Sequence, residues 1–325
     1  MSKWCKMFCN SKELQLLGTL NGGQSFRWKK IVKDDCELWY GVFASKVWIL
    51  QQSHDHILYQ VHERIPSDPK VNESLLKDYF QLDLNLEEHY GQWSKADANF
   101  QKASEQFYGI RILKQNPVEN IFSFICSSCN NISRITSMVE KLAEFYGEII
   151  CEIEDKKWYS FATIEHLAGD NVEGKLRELG FGYRAKYISN SAKTILNNGG
   201  IKWVENLKSL EYEDAKRQLM TLQGIGAKVA DCICLMSLGH LQAIPVDTHV
   251  YQIAVRDYMP QLKQQKALTD KMYKQIGEHF RNLYGPLAGW AHTVLFCADL
   301  KKFKPNTRVD EGKITKATKK KTSKK

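Results

Sequence analysis

The chain has 325 residues, enough for two or three compact domains, and a net charge of +9. It contains no run of roughly 18 consecutive apolar residues, so we expect no membrane partner. The start lacks the apolar core of a secretory signal. The nine cysteines lie within apolar runs, which is typical of free thiols in a reducing compartment, and their spacing predicts no metal site.

The positive charge is concentrated at the C-terminal end. Residues 301–325 contain eleven Lys or Arg and two Asp or Glu, so the preceding residues 1–300 are neutral overall. A segment so basic and so poor in apolar residues is predicted to be a disordered tail. Its lysine clusters are typical of a nuclear import signal, a nucleic-acid anchor or a solubilising tail, and we favour the first two. We therefore expect a nuclear location, with a mitochondrial pool as an alternative.

The N-terminal region, residues 1–105, is predicted to be a β-rich domain with flanking helices. Residues 36–43, 46–52 and 57–63 alternate in polarity, are rich in aromatic or β-branched residues and are separated by polar turns. This pattern is typical of antiparallel strands. A helical stretch over residues 72–84 follows them.

Residues 106–300 are predicted to form a helical body. Apolar residues recur at helical spacing in residues 104–115, 120–128, 132–147, 164–180 and 212–222. The region 271–300 also looks helical, with a break at Gly285-Pro286. The expected fold class is thus α+β, with an antiparallel sheet domain packed on an all-helical body.

A short glycine turn joins two of the predicted helices in LQGIGAKVADCICL, residues 222–235. Gly224 and Gly226 would let a ligand approach the backbone closely, and the free amides at the start of the next helix can hold a phosphate. Contacts of this kind ignore base identity and suit the backbone of DNA. A plain connection between two helices is the alternative interpretation.

Lys228 lies in the first turn of the second helix, where the helix dipole and partial burial both disfavour an ammonium. We therefore predict a lowered pKa and a neutral amine that can form a Schiff base. The alternative is a surface lysine that touches phosphate. Asp247 precedes an amphipathic stretch and is predicted to be its N-cap, which could pair with Lys228. His249, just inside that helix, can donate a hydrogen bond to a phosphate.

Five blocks of the chain, in order, resemble the eukaryotic 8-oxoguanine DNA glycosylases of the helix–hairpin–helix superfamily. They are GGQSFRW (22–28), FSFICSSCNNISRIT (122–136), GFGYRAKY (180–187), the glycine turn followed by IPVDTH, and GPLAGWAHTVLFCADL (285–300). The resemblance implies a bifunctional repair enzyme that flips out and excises 8-oxoguanine opposite cytosine through a lysine Schiff base. It would then cleave the abasic strand by β-elimination. This chemistry requires no divalent metal or organic cofactor, and the resemblance leaves open a monovalent cation at the hairpin carbonyls. We expect double-stranded DNA as partner, a monomer, and downstream repair proteins as further partners.

The resemblance also assigns roles to single residues. Lys228 corresponds to the nucleophile, and Asp247 to the carboxylate that stabilises the positive charge on the sugar. Gly23 would accept the N7–H of 8-oxoguanine, Phe296 and Cys232 would contact the two faces of the base, and His292 would lie at its edge. Tyr183 would fill the gap left in the base stack, and two arginines would read the orphaned cytosine. The residues expected to contact DNA are Asn130, Arg134, Tyr183, Arg184, Gly224, Gly226, Val229 and His249.

Two positions depart from the family pattern. Cys129 replaces an asparagine that contacts the orphaned cytosine, and because a thiol is a weak donor and acceptor we expect a weaker preference for the opposite base. His292 replaces a glutamine, so we expect added pH sensitivity.

Two other functions remain open. One is a monofunctional glycosylase for alkylated bases, in which Asp247 acts alone and water attacks. The other is a catalytically silent module that only docks on DNA.

Overall fold

The computed structural model describes residues 3–264 and 268–300. The prediction of a disordered tail at residues 301–325 concerns residues outside the described ones. Within the described ranges, no helix combines the length and apolar character needed to cross a lipid bilayer.

The N-terminal domain is built on one five-stranded antiparallel sheet. Its strands are β1 (Cys5–Phe8), β2 (Lys29–Lys33), β3 (Cys36–Phe43), β4 (Lys46–Gln52) and β5 (His56–His62), in the spatial order β1-β5-β4-β3-β2. Two-residue turns with left-handed backbone, Asp34-Asp35 and Ala44-Ser45, join β2 to β3 and β3 to β4, as the right-handed twist of a hairpin favours. The three strands predicted from alternation are confirmed. β1 and β2 were not predicted from the sequence.

The rest of the described chain is mostly helical. The helices are α1 (Leu16–Asn21), α2 (Pro69–Tyr79), α3 (Leu86–Ala96), α4 (Ala98–Ser104), α5 (Pro117–Ser127), α6 (Ile132–Tyr146), α7 (Ile164–Leu167), α8 (Val172–Glu178), α9 (Arg184–Asn197), α10 (Ile201–Asn206), α11 (Tyr212–Leu219), α12 (Ala227–Ile233), α13 (Thr248–Ile253), α14 (Asp270–Tyr284) and α15 (Ala288–Asp299). A small hairpin of β6 (Ile149–Ile153) and β7 (Lys156–Tyr159) packs on the sheet domain, where Trp158 stacks on Tyr40 with ring centroids 6.1 Å apart.

One large apolar core unites α3 to α15, whereas α1 and α2 pack on the sheet in a second core. α5 lies inside the large core with most of its side chains buried, because its sequence is apolar on nearly every face. Tyr90, Trp93 and Phe100 of α3 and α4 join the same core, although they precede residue 106. The observed architecture is the expected α+β fold.

The helix predicted over residues 104–115 is wrong beyond Ser104. The chain from there to α5 is irregular, and its backbone groups bond to distant residues instead of to each other. Gln24 donates to the Arg111 carbonyl at 2.7 Å and accepts from the Leu113 amide at 3.0 Å. These tertiary hydrogen bonds replace helical ones, which the apolar spacing could not reveal.

The break predicted at Gly285-Pro286 is confirmed, since a single 3₁₀ turn over Gly285–Leu287 separates α14 from α15. The region 164–180 forms two short helices, α7 and α8, instead of one.

Candidate active site

A cavity at the junction of the sheet domain and the helical body brings together the chemically interesting residues. α12 contributes Lys228 and Cys232, and Asp247 stands at the start of α13. α15 contributes His292 and Phe296, and the loop after α1 contributes Gly23. All six residues predicted for catalysis and base binding therefore line the same cavity, although they come from four separate parts of the sequence.

The glycine turn between α11 and α12 has the geometry of a helix–hairpin–helix element. Gly224 has φ +90°, and a Cβ at this position would lie 2.7 Å from the ring of Tyr187. Any other residue would therefore be strained and would also displace that ring. Ser191 of α9 donates to the Gln223 carbonyl at 2.9 Å, which anchors the turn. Gly226 is open to solvent, so a ligand can reach the first amides of α12.

Lys228 carries a raised pKa, so the prediction of a lowered one is wrong. Burial, the largest single influence, lowers it, but Cys232 and the Asp247 carboxylate together raise it by more. The ammonium also lies 5.4 Å from the centroid of the Phe124 ring, which favours the cation. In the free enzyme Lys228 is thus an ammonium that must lose its proton before it can attack.

The negative charge that faces Lys228 at neutral pH belongs to Asp247. Burial raises the pKa of the Cys232 thiol above its usual value, so the thiol keeps its proton at neutral pH. Its sulfur can still accept a hydrogen bond from Lys228, which favours the ammonium form. Asp247 is therefore the group that places a full negative charge beside Lys228 at neutral pH.

Asp247 is held by the helix that it begins. Its carboxylate accepts the Val250 amide at 2.9 Å, which confirms the predicted N-cap. A capping carboxylate has few alternative rotamers, because it must remain within reach of the helix amides. This fixes its charge at the edge of the cavity.

The Gly23 carbonyl is presented by a clamped segment. Gly23 has φ +88°. The next residue, Gln24, is buried, and both its side chain and its backbone carbonyl form hydrogen bonds. Its side chain bonds residues 111 and 113, and its carbonyl accepts from Gln115 Nε2 at 2.9 Å. Within residues 3–264 and 268–300, no donor bonds to the Gly23 carbonyl. It is therefore free to accept a hydrogen bond from a ligand.

His292 is buried in the cavity wall, and neither ring nitrogen has a hydrogen-bond partner in the described part of the chain. Burial lowers its pKa to about 4, with Asp247 opposing the shift. The imidazole is therefore neutral at physiological pH. The pH sensitivity expected at this position is confined to acidic solution.

His292 should make the fold sensitive to acid. Its folded pKa of about 4 lies below the unfolded value near 6.5, so the unfolded chain binds the extra proton and stability falls as the pH drops between them. From pH 7 to pH 5 this should remove about 2 kcal/mol from the free energy of unfolding. Urea titrations at both pH values measure this free energy. Between pH 7 and pH 5, His292→Gln should lose about 2 kcal/mol less unfolding free energy than the wild type.

The control for this prediction is His54→Gln, at an exposed position. Its loss of unfolding free energy between pH 7 and pH 5 should equal that of the wild type. An equal acid loss in His292→Gln and wild type would show that His292 is not buried neutral.

A second cluster lies at the start of α9. Tyr183 is 46% exposed and Arg184 is buried, and both donate to the Ser128 carbonyl. Arg184 also donates to the Cys129 carbonyl at 3.3 Å, and Arg134 donates to the Gly180 carbonyl at 3.3 Å. Arg184 Cζ lies 4.6 Å from the centroid of the Tyr183 ring, so the residue predicted to fill the base stack and one of the two arginines predicted to read the opposite base are neighbours.

The other predicted DNA contacts occupy different environments. His249 is exposed beside Phe296, with ring centroids 6.0 Å apart. Val229 is buried, so only its backbone amide could meet DNA. Asn130 turns inward. Its side-chain nitrogen donates to the Cys126 carbonyl at 3.0 Å, and its side-chain oxygen accepts the Asn131 amide.

Three residues that shape the site were not predicted from the sequence. Phe124 faces Lys228, Gln24 fixes the Gly23 carbonyl, and Tyr187 packs against Gly224 and lies 5.4 Å from the Tyr183 ring. All three lie inside the blocks that carry the family resemblance. Their roles, however, depend on contacts between distant segments.

The hairpin, with a lysine in the first turn of its second helix and a capping aspartate facing it across a cavity, defines a DNA glycosylase of the helix–hairpin–helix class. The chain matches the 8-oxoguanine DNA glycosylase N-terminal domain over residues 6–121 and the HhH-GPD superfamily of base excision DNA repair proteins over residues 122–279.

Two curated relatives extend along most of the chain. The N-glycosylase/DNA lyase OGG1 of Arabidopsis thaliana is 37% identical, over 92% of this chain and 80% of that protein. The N-glycosylase/DNA lyase of Saccharomyces cerevisiae is also 37% identical, over 92% of this chain and 86% of that protein. The 8-oxoguanine glycosylase/lyase of Clostridium acetobutylicum, solved with double-stranded DNA containing cytosine opposite 8-oxoG, superposes with a TM-score of 0.76. It is 27% identical, and the superposition covers 88% of this chain and 91% of the Clostridium acetobutylicum chain.

The chain belongs to the eukaryotic 8-oxoguanine DNA glycosylase family. It is a DNA N-glycosylase with AP lyase activity that acts in base excision repair. This assignment disfavours both the monofunctional glycosylase and the silent docking module.

Proposed function

We propose that this enzyme flips 8-oxoguanine, paired with cytosine, out of duplex DNA and excises it through a Schiff base on Lys228. The observation that carries the proposal is the convergence of Lys228, Asp247, Gly23 and Phe296 on one cavity. A base inside the duplex cannot reach this cavity, so extrusion of the nucleotide is required.

The first chemical step replaces the bond between the sugar and the base by a bond to the enzyme. The lone pair of the Lys228 amine forms a bond to C1′, while the C1′–N9 bond breaks and its electrons leave with the base. Because Lys228 rests as an ammonium, its proton must be released, and the departing base anion requires one proton. Asp247 stabilises the positive charge that develops on the sugar.

The second step cleaves the strand. Ring opening turns the Lys228 adduct into a protonated imine, which makes the hydrogens on C2′ acidic. Transfer of one of them to a base forms a C1′=C2′ enamine. The enamine nitrogen then re-forms the C1′=N bond, a C2′=C3′ double bond forms, and the C3′–O bond breaks with its electrons on the departing 3′ phosphate. Water then releases the sugar remnant and restores the amine.

Recognition of the lesion is assigned to the Gly23 carbonyl, the Phe296 ring and the His292 imidazole. The Gly23 carbonyl would accept the N7–H that 8-oxoguanine has and guanine lacks. With guanine, two lone pairs would face each other in a desolvated site, which is unfavourable. Phe296 offers a ring face for stacking, and neutral His292 offers one donor and one acceptor to the edge of the base.

Double-stranded DNA would be held by two separate surfaces. Phosphates suit the open backbone amides of the hairpin, those of Gly224, Gly226 and Val229, and the exposed His249 side chain. Tyr183, Arg134 and Arg184 suit the gap and the orphaned cytosine. We expect the enzyme to act as a monomer. A nuclear location remains a prediction from residues 301–325, which microscopy of a fluorescently tagged chain would check.

Cys129→Asn should sharpen the preference for cytosine opposite the lesion. Cys129 has φ +47° and is exposed beside Arg184, and an asparagine there would supply a hydrogen-bonding amide and tolerate the left-handed backbone better. One added hydrogen bond of about 1 kcal/mol should raise the excision rate opposite cytosine, relative to the other three bases, about fivefold. Single-turnover assays on the four duplexes measure this ratio.

Cys129→Ala is the matched control, since it supplies no hydrogen-bonding group and should not raise the ratio. An overwhelming preference for cytosine in the wild-type enzyme would contradict the idea that Cys129 loosens recognition.

Borohydride trapping tests the proposed function directly. The enzyme is mixed with a duplex containing 8-oxoguanine opposite cytosine and reduced, and peptide mass spectrometry locates the sugar remnant. We expect a covalent adduct on Lys228. Excision without any adduct would indicate attack by water, and an adduct on another residue would reject the assigned nucleophile.

A further inference from the structure

Asp231 is a fully buried carboxylate that the proposed chemistry does not use. It lies in α12, between Lys228 and Cys232, and its side chain is inaccessible to solvent. Lys216 of α11 donates to it at 2.9 Å and balances its charge. A buried, neutralised carboxylate in the helix that carries the nucleophile calls for a structural or positioning role.

Two tyrosine hydroxyls also donate to Asp231. Tyr212 of α11 donates to Oδ1 at 2.6 Å, and Tyr273 of α14 donates to Oδ2. Burial, followed by the Asp231 charge, raises the pKa of both phenols, so both keep their protons and remain donors. The two residues therefore make equivalent bonds to the same carboxylate from different helices.

Only Tyr273 extends the network to the second catalytic residue. Its oxygen accepts the Val246 amide at 3.3 Å, and Val246 immediately precedes Asp247. The Ile244 carbonyl is also 3.4 Å away, but the charged Asp231 oxygen is nearer and takes the single hydroxyl proton. The Tyr273 hydroxyl thus connects α12 to the segment that carries Asp247.

We propose that Asp231 and Tyr273 are positioning residues, which hold the Asp247 segment at a fixed distance from the Lys228 helix. The inference rests on the proposed function in so far as that function pairs Lys228 with Asp247. Without the Tyr273 bridge, Asp247 would keep its helix cap, but the Val246 amide beside it would lose its hydrogen bond to the hydroxyl that is anchored on α12. The pair would then sample separations at which the carboxylate stabilises the sugar cation less well.

The test compares Tyr273→Phe with Tyr212→Phe. Each variant removes one buried hydroxyl from Asp231, but only the first breaks the link to Val246. We expect Tyr273→Phe to lower the single-turnover excision rate about tenfold or more, with the half-saturating DNA concentration unchanged. Tyr212→Phe should stay within about threefold of the wild-type rate. Equal losses in the two variants would overturn the proposal.

The pH–rate profile provides a readout that a general loss of stability would not move. Asp247 and Cys232 raise the pKa of Lys228, so a more distant Asp247 should raise it less. The rate of Tyr273→Phe should therefore level off at a lower pH than that of Tyr212→Phe. Faster hydrogen exchange of the Val246 amide in Tyr273→Phe alone is the second expected result, and unchanged exchange would count against the bridge.

The same comparison on an abasic duplex separates this inference from the proposed function. Strand cleavage there needs the lyase activity but no 8-oxoguanine. If the wild type cleaves abasic DNA but ignores 8-oxoguanine, the lesion assignment fails while the Tyr273 comparison still decides the positioning role. If the wild type excises 8-oxoguanine and both variants behave alike on both duplexes, only the positioning role fails.

Discussion

Lys228→Gln should abolish the borohydride-trapped adduct and lower excision of 8-oxoguanine by about 10³-fold or more. Glutamine has similar length and polarity but no lone pair able to attack C1′. The hairpin amides that suit the DNA backbone remain in place, so the affinity for duplex DNA should change little. Trapping yields, single-turnover excision rates and fluorescence anisotropy with labelled duplex measure the three quantities.

Lys186→Gln is the control for that variant. Lys186 is exposed on α9, two residues from Arg184, and has no place in the cavity. Its replacement should leave the adduct yield at saturating DNA unchanged. An adduct that persists at the wild-type level in Lys228→Gln would assign the nucleophile to a different amine.

Asp247→Asn should lower the excision rate about 100-fold, because the sugar cation loses its stabilising charge. Asparagine is as good an N-cap as aspartate, so the helix that begins at Thr248 should remain stable. The variant should also move the pH dependence. Since the Asp247 charge raises the pKa of Lys228, its removal lowers that pKa, and the residual rate should level off at a lower pH. A series of single-turnover rates from pH 6 to about pH 10 measures both effects.

Asp247→Ala separates the charge from the cap. It removes both, so it should match Asp247→Asn in rate but lose about 1 kcal/mol more of unfolding free energy. A pH profile of Asp247→Asn that coincides with the wild type would mean that Asp247 does not control the Lys228 proton.

The raised pKa of Lys228 bears on how the reaction begins. An ammonium is a poor nucleophile but a good proton donor, and the leaving base is the group that needs a proton. Lys228 must therefore release one proton before it attacks, and the departing base requires one.

Parts of this protein could be read from its sequence because they depend on neighbouring residues. Alternation in polarity predicted β3, β4 and β5, and Gly285-Pro286 predicted the break between α14 and α15. Asp247 was identified as an N-cap from the residues that follow it. The resemblance blocks, together with that cap, were enough to name the six residues that meet in the cavity.

The tertiary structure decided the properties that arise between segments distant in sequence. The stretch after Ser104 has helical spacing but is drawn out of helical form by hydrogen bonds from Gln24. The pKa of Lys228 follows from Asp247, nineteen residues away, and from Cys232, not from the helix dipole alone. Local patterns specify which backbone bonds a segment can form. Desolvation and the charge of distant neighbours, known only once the chain has folded, determine which proton a buried side chain keeps.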